Sequence, residues 1–163
     1  MLYLECCGNM QSESSINPGR WQGDKIGGDP DLHGYGLVQW TPYTKYTDFI
    51  VTKGFEDPSV IDANLYRIVY EVENNLQWIA TTTYNYSFRE FTESTDTPYN
   101  LGLAFLANYE RPADQNQYVR GVQATFWFEF LGGIEPTPTI IKKKNKFPWA
   151  ILTRQLRQKR ATF

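Results

Sequence analysis

The sequence predicts an α+β domain that is mainly helical, with one small β-hairpin or loop region and a basic C-terminal tail. Three observations carry this. Apolar residues recur at helical spacing over 58–79, 98–109 and 114–131. Residues 23–36 hold five glycines, Pro30 and three aspartates with few branched side chains, which suits a loop or a short ribbon rather than long strands. A length of 163 residues at 41% hydrophobic, 16% aromatic and 21% charged composition is one ordinary globule with a proper core, and excludes bulk disorder.

In chain order, residues 2–14 are helix-compatible and end at Ile16-Asn17-Pro18-Gly19, where proline restricts its predecessor and glycine permits a turn. Glu13 therefore stands at the C-terminal end of that helix. Thr41-Pro42 has the chemistry to cap and open a helix over 43–53, which Gly54 stops. The core helix is expected over 58–79, with Ile61, Leu65, Ile68, Val69, Val72, Leu76 and Ile79 on one face, Asp57 as cap and Pro58 in the first turn. Thr97-Pro98 repeats the cap, and Leu101, Phe105, Leu106 and Tyr109 form a second stripe closed at Arg111-Pro112. The last helix is expected over 114–131, with Tyr118, Val122, Thr125, Phe126 and Phe130 facing inward. Gly132-Gly133 and Pro136-Thr137-Pro138 read as a linker, so the domain takes residues 1–132 and the linker and tail take 133–163. No internal repeat is visible.

The formal net charge of −2 conceals a division. Residues 140–163 carry eight Lys or Arg and no Asp or Glu, leaving eight basic against 18 acidic residues in the first 139, a formal −10. An acidic globule argues against a nucleic-acid partner, and the tail is expected to contact anionic surfaces. No apolar run reaches the roughly 18 residues of a membrane span, and no secretory leader opens the chain, which points to cytoplasmic synthesis. Cys6 and Cys7 are adjacent, a poor geometry for a disulfide, and His33 is the single histidine. Neither a metal nor another cofactor is expected.

Glu13 at a helix end, facing Gly34-Tyr35-Gly36-Leu37-Val38-Gln39-Trp40, is the arrangement that suggests chemistry. A partly desolvated carboxyl keeps a proton for a leaving-group oxygen, glycines admit close approach of a bulky substrate, aromatics stack on sugar faces, and Gln39 offers both a donor and an acceptor. Residue types alone equally fit a solvated glutamate beside packing aromatics.

Ordered blocks decide between these. Gly8-Asn9-Met10-Gln11-Ser12-Glu13-Ser14, Ile16-Asn17-Pro18-Gly19, Gly34 to Pro42, Glu71 with Gln77-Trp78, Phe105-Leu106-Ala107-Asn108-Tyr109-Glu110-Arg111-Pro112, then Arg120 and Ala124, resemble the motifs of the phage tail lysozyme family in the same order over about residues 8–131. The blocks around Glu13-Ser14 and Gly36-Leu37-Val38-Gln39 are also similar to the Glu-Ser and Gly-Leu-Met-Gln motifs of goose-type lysozymes and lytic transglycosylases. The resemblance implies a lysozyme-like helical fold, Glu13 as catalytic acid, and Tyr35, Gly36, Leu37, Gln39 and Tyr109 as substrate-binding residues. It further implies a virion-associated enzyme at the tail tip, made in the host cytoplasm and acting on host peptidoglycan, with other tail proteins as partners. Ser14 is expected to hold the local turn, and Glu110, Arg111 and Arg120 to form structural ion pairs between helices. Glu71 and Asp31 are the foremost candidates for a second carboxylate, with Asp24 and Asp29 behind them. The family carries an apolar helix before the first block where this sequence has Met1 to Cys7, so one wall of the core is expected to lie open unless another chain covers it.

Three functions follow. The first is a glycosidase cleaving the MurNAc-GlcNAc bond for local wall degradation during genome entry, as hydrolase or transglycosylase. The second is a non-catalytic tail structural or glycan-binding module that keeps the groove. The third, a Cys-His amidase using Cys6 or Cys7 with His33, lacks the context that activates a thiol.

Overall fold

A computed structural model describes residues 3–24, 29 and 32–132. Asp31 and the linker and basic tail from residue 133 on lie outside them. The described chain is mainly helical: α1 (Tyr3–Ser14), a 3-10 turn (Gln22–Asp24), α2 (Thr44–Thr52), α3 (Ile61–Glu73), α4 (Phe88–Glu93), α5 (Pro98–Phe105), a π-helical turn (Leu106–Glu110) and α6 (Val119–Phe130). The β element among these residues is two isolated antiparallel bridges, Trp21 to Tyr35 and Tyr35 to Trp40.

Helices α1, α5 and α6 form one close-packed group, and small residues set their spacing. A Cβ on Gly8 of α1 would lie 2.5 Å from the Ala124 nitrogen and 2.6 Å from the Arg120 carbonyl oxygen of α6. Gly102 of α5 meets the same two residues from the other side, at 2.7 Å from the Ala124 Cβ. Backbones that approach this closely leave no room for side chains between them. Polar pairs seal the edges of the α1/α6 contact: Trp127 donates to Gln11 at 2.6 Å and Ser12 to Gln123 at 2.6 Å. Trp78, Phe88, Phe91, Phe105 and Tyr109 pack ring against ring within the same hydrophobic core, beside α4 and α5.

Several elements differ from the sequence expectation. The core helix stops at Glu73, because Asn75 and Gln77 take left-handed backbone conformations, and Leu76 and Ile79 end up exposed. Its entry residue is Val60; Asp57 instead accepts hydrogen bonds from the Ser59 amide and hydroxyl in the preceding turn. Thr41 does not cap α2, since its hydroxyl donates to the Gln39 carbonyl. In α6 the inward face is Arg120, Gly121, Ala124 and Phe128, whereas Tyr118, Val122 and Phe126 point to solvent and Thr125 and Phe130 are half-buried. The reason is the close contact with α1 and α5, which only small residues permit. The stripe of Leu101, Phe105, Leu106 and Tyr109 is buried throughout, behind the Thr97 cap on Asn100.

Candidate active site

Glu13 stands in the last turn of α1. The helix ends just beyond it because Ser15 and Ile16 adopt positive φ, with the Ile16 amide returning to the Met10 carbonyl. Left-handed conformations at residues with side chains are costly and persist where the surroundings enforce them. Here the enforcing contact is Ser14, whose hydroxyl lies 3.0 Å from the carbonyl oxygens of both Met10 and Leu37. Ser14 thereby ties the end of α1 to the tight turn Tyr35 to Trp40. That turn depends on Gly36, at φ +87°, where a Cβ would strike Asn64 Oδ1 at 2.6 Å. The same Asn64 oxygen accepts the Leu37 amide at 2.9 Å.

These contacts frame a cleft of about 430 Å³ lined by Glu13, Arg20, Gln22, Gly23, Val38, Gln39, Thr41, Glu110 and Pro112. Glu13 forms an ion pair with Arg120 Nη2 at 2.6 Å. Arg120 is itself fixed, donating through Nη1 to the Asn9 carbonyl and through Nε to Gln117, so it joins α6 to the working end of α1. Gln39 spends its amide nitrogen on the Gly36 and Arg20 carbonyls, at 2.8 and 3.1 Å. Its amide oxygen has no donor among the described residues, leaving an acceptor at the cleft wall. Arg20 reaches across the lower wall to Ser15 and pairs with Asp24 at 3.3 Å.

Glu110 also lines the cleft, at the end of the π-helical turn. Arg111 follows it at φ 50°, and its guanidinium is committed to the carbonyls of Gln77 and Asn108. Glu110 therefore has neither Arg111 nor Arg120 as a hydrogen-bond donor, and its Oε1 is buried with no hydrogen-bond partner among the described residues. Burial first, and then the charge of Glu13, push its carboxyl well above the usual carboxylate range. Ion pairing between Glu110 and these arginines was the sequence expectation; the geometry gives Arg120 to Glu13 instead.

The other expected site residues fall elsewhere. Of the substrate-binding set, Gln39 lines the cleft. Tyr35, Gly36 and Leu37 are buried behind it, Tyr35 packing on Trp21 and Tyr46. Tyr109 is 1% exposed, its ring stacked on Phe105 and its hydroxyl donating to Glu71. Among the cleft-lining residues there is no aromatic ring on which a sugar would stack. Glu71 is fully buried and accepts from Arg67 at 2.8 Å, from Trp40 at 3.2 Å and from Tyr109, so it serves the interior and not the cleft. Asp24 and Asp29 are exposed and do not line the cleft, and Asp31 is outside the described residues. Cys6 and Cys7 are buried at 1% exposure, while His33 faces the Asp29 carbonyl, which gives a Cys-His pair no basis. Among the described residues no helix is long and apolar enough to cross a membrane.

Arg120 forms the helix-tying ion pair expected of it, but with Glu13 rather than Glu110, and Glu110 is a second carboxyl lining the cleft. Their presence in the ordered blocks was the available signal, because nothing in the spacing of residues 13, 110 and 120 tells which pair meets.

Residues 6–131 match the family model described as phage tail lysozyme. Morphogenesis protein 1 of Bacillus phage B103 is 50% identical over 126 residues, a stretch that takes in 77% of this chain and 33% of that relative. This chain thus corresponds to about a third of the relative's length. Since the matched residues include α2 to α6, nearly all of α1 and every residue lining the cleft, the chain belongs to the phage tail lysozyme family.

Proposed function

We propose that the cleft is the active site of a virion-associated peptidoglycan glycosidase that cleaves the MurNAc-GlcNAc bond, with Glu13 as general acid, and opens the host wall locally during genome entry at the tail tip. The observation that carries this reading is the position of Glu13: a helix-terminal carboxyl, held by Arg120 and Ser14, on the wall of a polar cleft large enough for a saccharide. A glycosidic oxygen needs a proton as it leaves, and a fixed carboxyl supplies it. Gln39 offers its amide oxygen to a sugar hydroxyl or acetamide N–H on the same wall.

The test is Glu13→Gln, which keeps shape and removes the acid. Lysis of purified walls should fall about 10²- to 10⁴-fold while the melting temperature barely moves. Near-wild-type lysis by this variant would refute the mechanism. Product ends then separate the two chemistries: a 1,6-anhydro end marks a transglycosylase and a reducing end a hydrolase.

A second reading, a non-catalytic tail module that keeps the groove, is favoured by the name of the 50% identical relative, which refers to morphogenesis. It requires glycan binding without turnover by the unmutated chain.

A further inference from the structure

Two carboxyls share the cleft, and their partners are unequal. Glu13 has Arg120 at 2.6 Å. Arg120 donates to Glu13, Asn9 and Gln117, and Arg111 faces backbone carbonyls. Glu110 Oε1 is left buried and without a donor among the described residues. A bare carboxylate oxygen in such a place is strongly disfavoured, whereas a neutral carboxylic acid is tolerated. The charged groups facing Glu110 are Glu13 from α1, Arg120 from α6, Glu71 from α3 and its neighbour Arg111. Burial is the largest influence on it, Glu13 the next, and the arginines pull the other way without overcoming them. Tyr109, which precedes it, is fully buried and stays a neutral phenol, so it adds no charge.

We propose that Glu110 is a positioning residue of the cleft: its buried, unpartnered carboxyl carries the proton that passes to Glu13 and from there to the leaving glycosidic oxygen. This rests on the glycosidase reading above. At rest the proton sits on Glu110 and Glu13 pairs with Arg120. With a glycan in place and cleft water displaced, the proton passes to Glu13 and then to the glycosidic oxygen. The bond from the anomeric carbon to that oxygen breaks, and its electron pair stays on the oxygen. The hydroxyl that attacks the anomeric carbon, from water or from the sugar itself, releases its proton to refill the pair, so the cycle closes without net gain or loss.

The experiment is the pH profile of kcat/KM for the unmutated chain and for Glu110→Gln on soluble glycan fragments. Without Glu110, Glu13 must take its proton from solvent. The basic limb should move down by about one pH unit or more, activity near pH 7 should fall at least about tenfold, and it should recover toward the unmutated level below about pH 5. An equal loss at every pH in a folded variant would mean a structural role or a direct base or nucleophile, and would overturn the proposal; an unmoved limb would overturn it too. Carboxyl carbon NMR gives a readout that needs no turnover, and so separates this proposal from the glycosidase reading. The proposal requires Glu110 to titrate well above the ordinary carboxylate range, and to titrate lower in Glu13→Gln, where its charged neighbour is gone. A Glu110 carboxyl that titrates in the ordinary carboxylate range, or one indifferent to Glu13→Gln, would refute the proposal even in an active enzyme.

Discussion

Glu71 and Glu110 illustrate what a buried carboxyl does to a small fold. Glu71 is satisfied by three donors, yet burial outweighs Tyr109, Arg67 and Lys45 and raises its carboxyl above the ordinary value of 4.5. Glu110, with one oxygen unpartnered, is raised well above the same value. The folded chain therefore binds protons more tightly than the unfolded chain from about pH 4.5 upward. With fewer protons bound in the unfolded state, the slope of unfolding free energy against pH is negative there, and stability falls as pH rises through the folded-state values. Urea unfolding between about pH 5 and pH 8 should show this decline, and Glu110→Gln should flatten it, because an amide does not titrate. A flat profile in the unmutated chain would show that both sites ionise without penalty. The sequence left Glu71 open between cleft and core for a physical reason: a carboxyl on an apolar helix face announces burial but not its donors, which here come from residues 40, 67 and 109.

At the scale of elements, helices marked by local chemistry were legible and helices marked by tertiary packing were not. Thr97-Pro98 opens α5 where expected, because capping is a contact within four residues. The same rule could have found α4, since Ser87 and Glu90 form a full capping box that was overlooked between two stronger stripes. The face of α6 was misread because apolar spacing selects the largest side chains, while the buried side is chosen by what fits against α1. This makes Gly8 a sharp test. Gly8→Ala places a Cβ 2.5 to 2.6 Å from the α6 backbone, so α1 and α6 must separate. Overpacking of this kind costs about 1 to 3 kcal/mol. The separation also lengthens the Arg120 to Glu13 contact, so wall lysis should fall further than the lost stability explains when assayed well below the melting temperature. Unchanged melting would show that the helices have slack, and lowered melting with full lysis would show that the Arg120 contact is dispensable. Glu13 itself was legible through the ordered blocks that resemble the family. Its surroundings were not, because the meeting of residues 13, 110 and 120 is decided by how α1, the π-helical turn and α6 pack.

Across the whole molecule the charge is segregated, eight basic and 18 acidic residues before position 140 and eight basic residues after it. Bacterial walls carry anionic polymers, which repel the acidic part and attract the basic part. Exposed charges act over a Debye length of about 10 Å at 0.1 M salt, and that reach shrinks as salt rises. If residues 140–163 supply wall attraction, binding of the chain to isolated walls should weaken steadily between about 50 and 300 mM salt. Removing residues 134–163 should abolish the salt-dependent part, since the remaining chain keeps a net negative charge and is repelled. Turnover on short soluble glycan fragments should be unaffected by the truncation, because every residue lining the cleft lies at or before Pro112 and the helices that position it end at Phe130. The two measurements pull apart the possible outcomes. Salt-independent wall binding would leave the basic segment without an electrostatic role, whereas loss of turnover on soluble fragments would place it in the packing of the domain rather than on the wall.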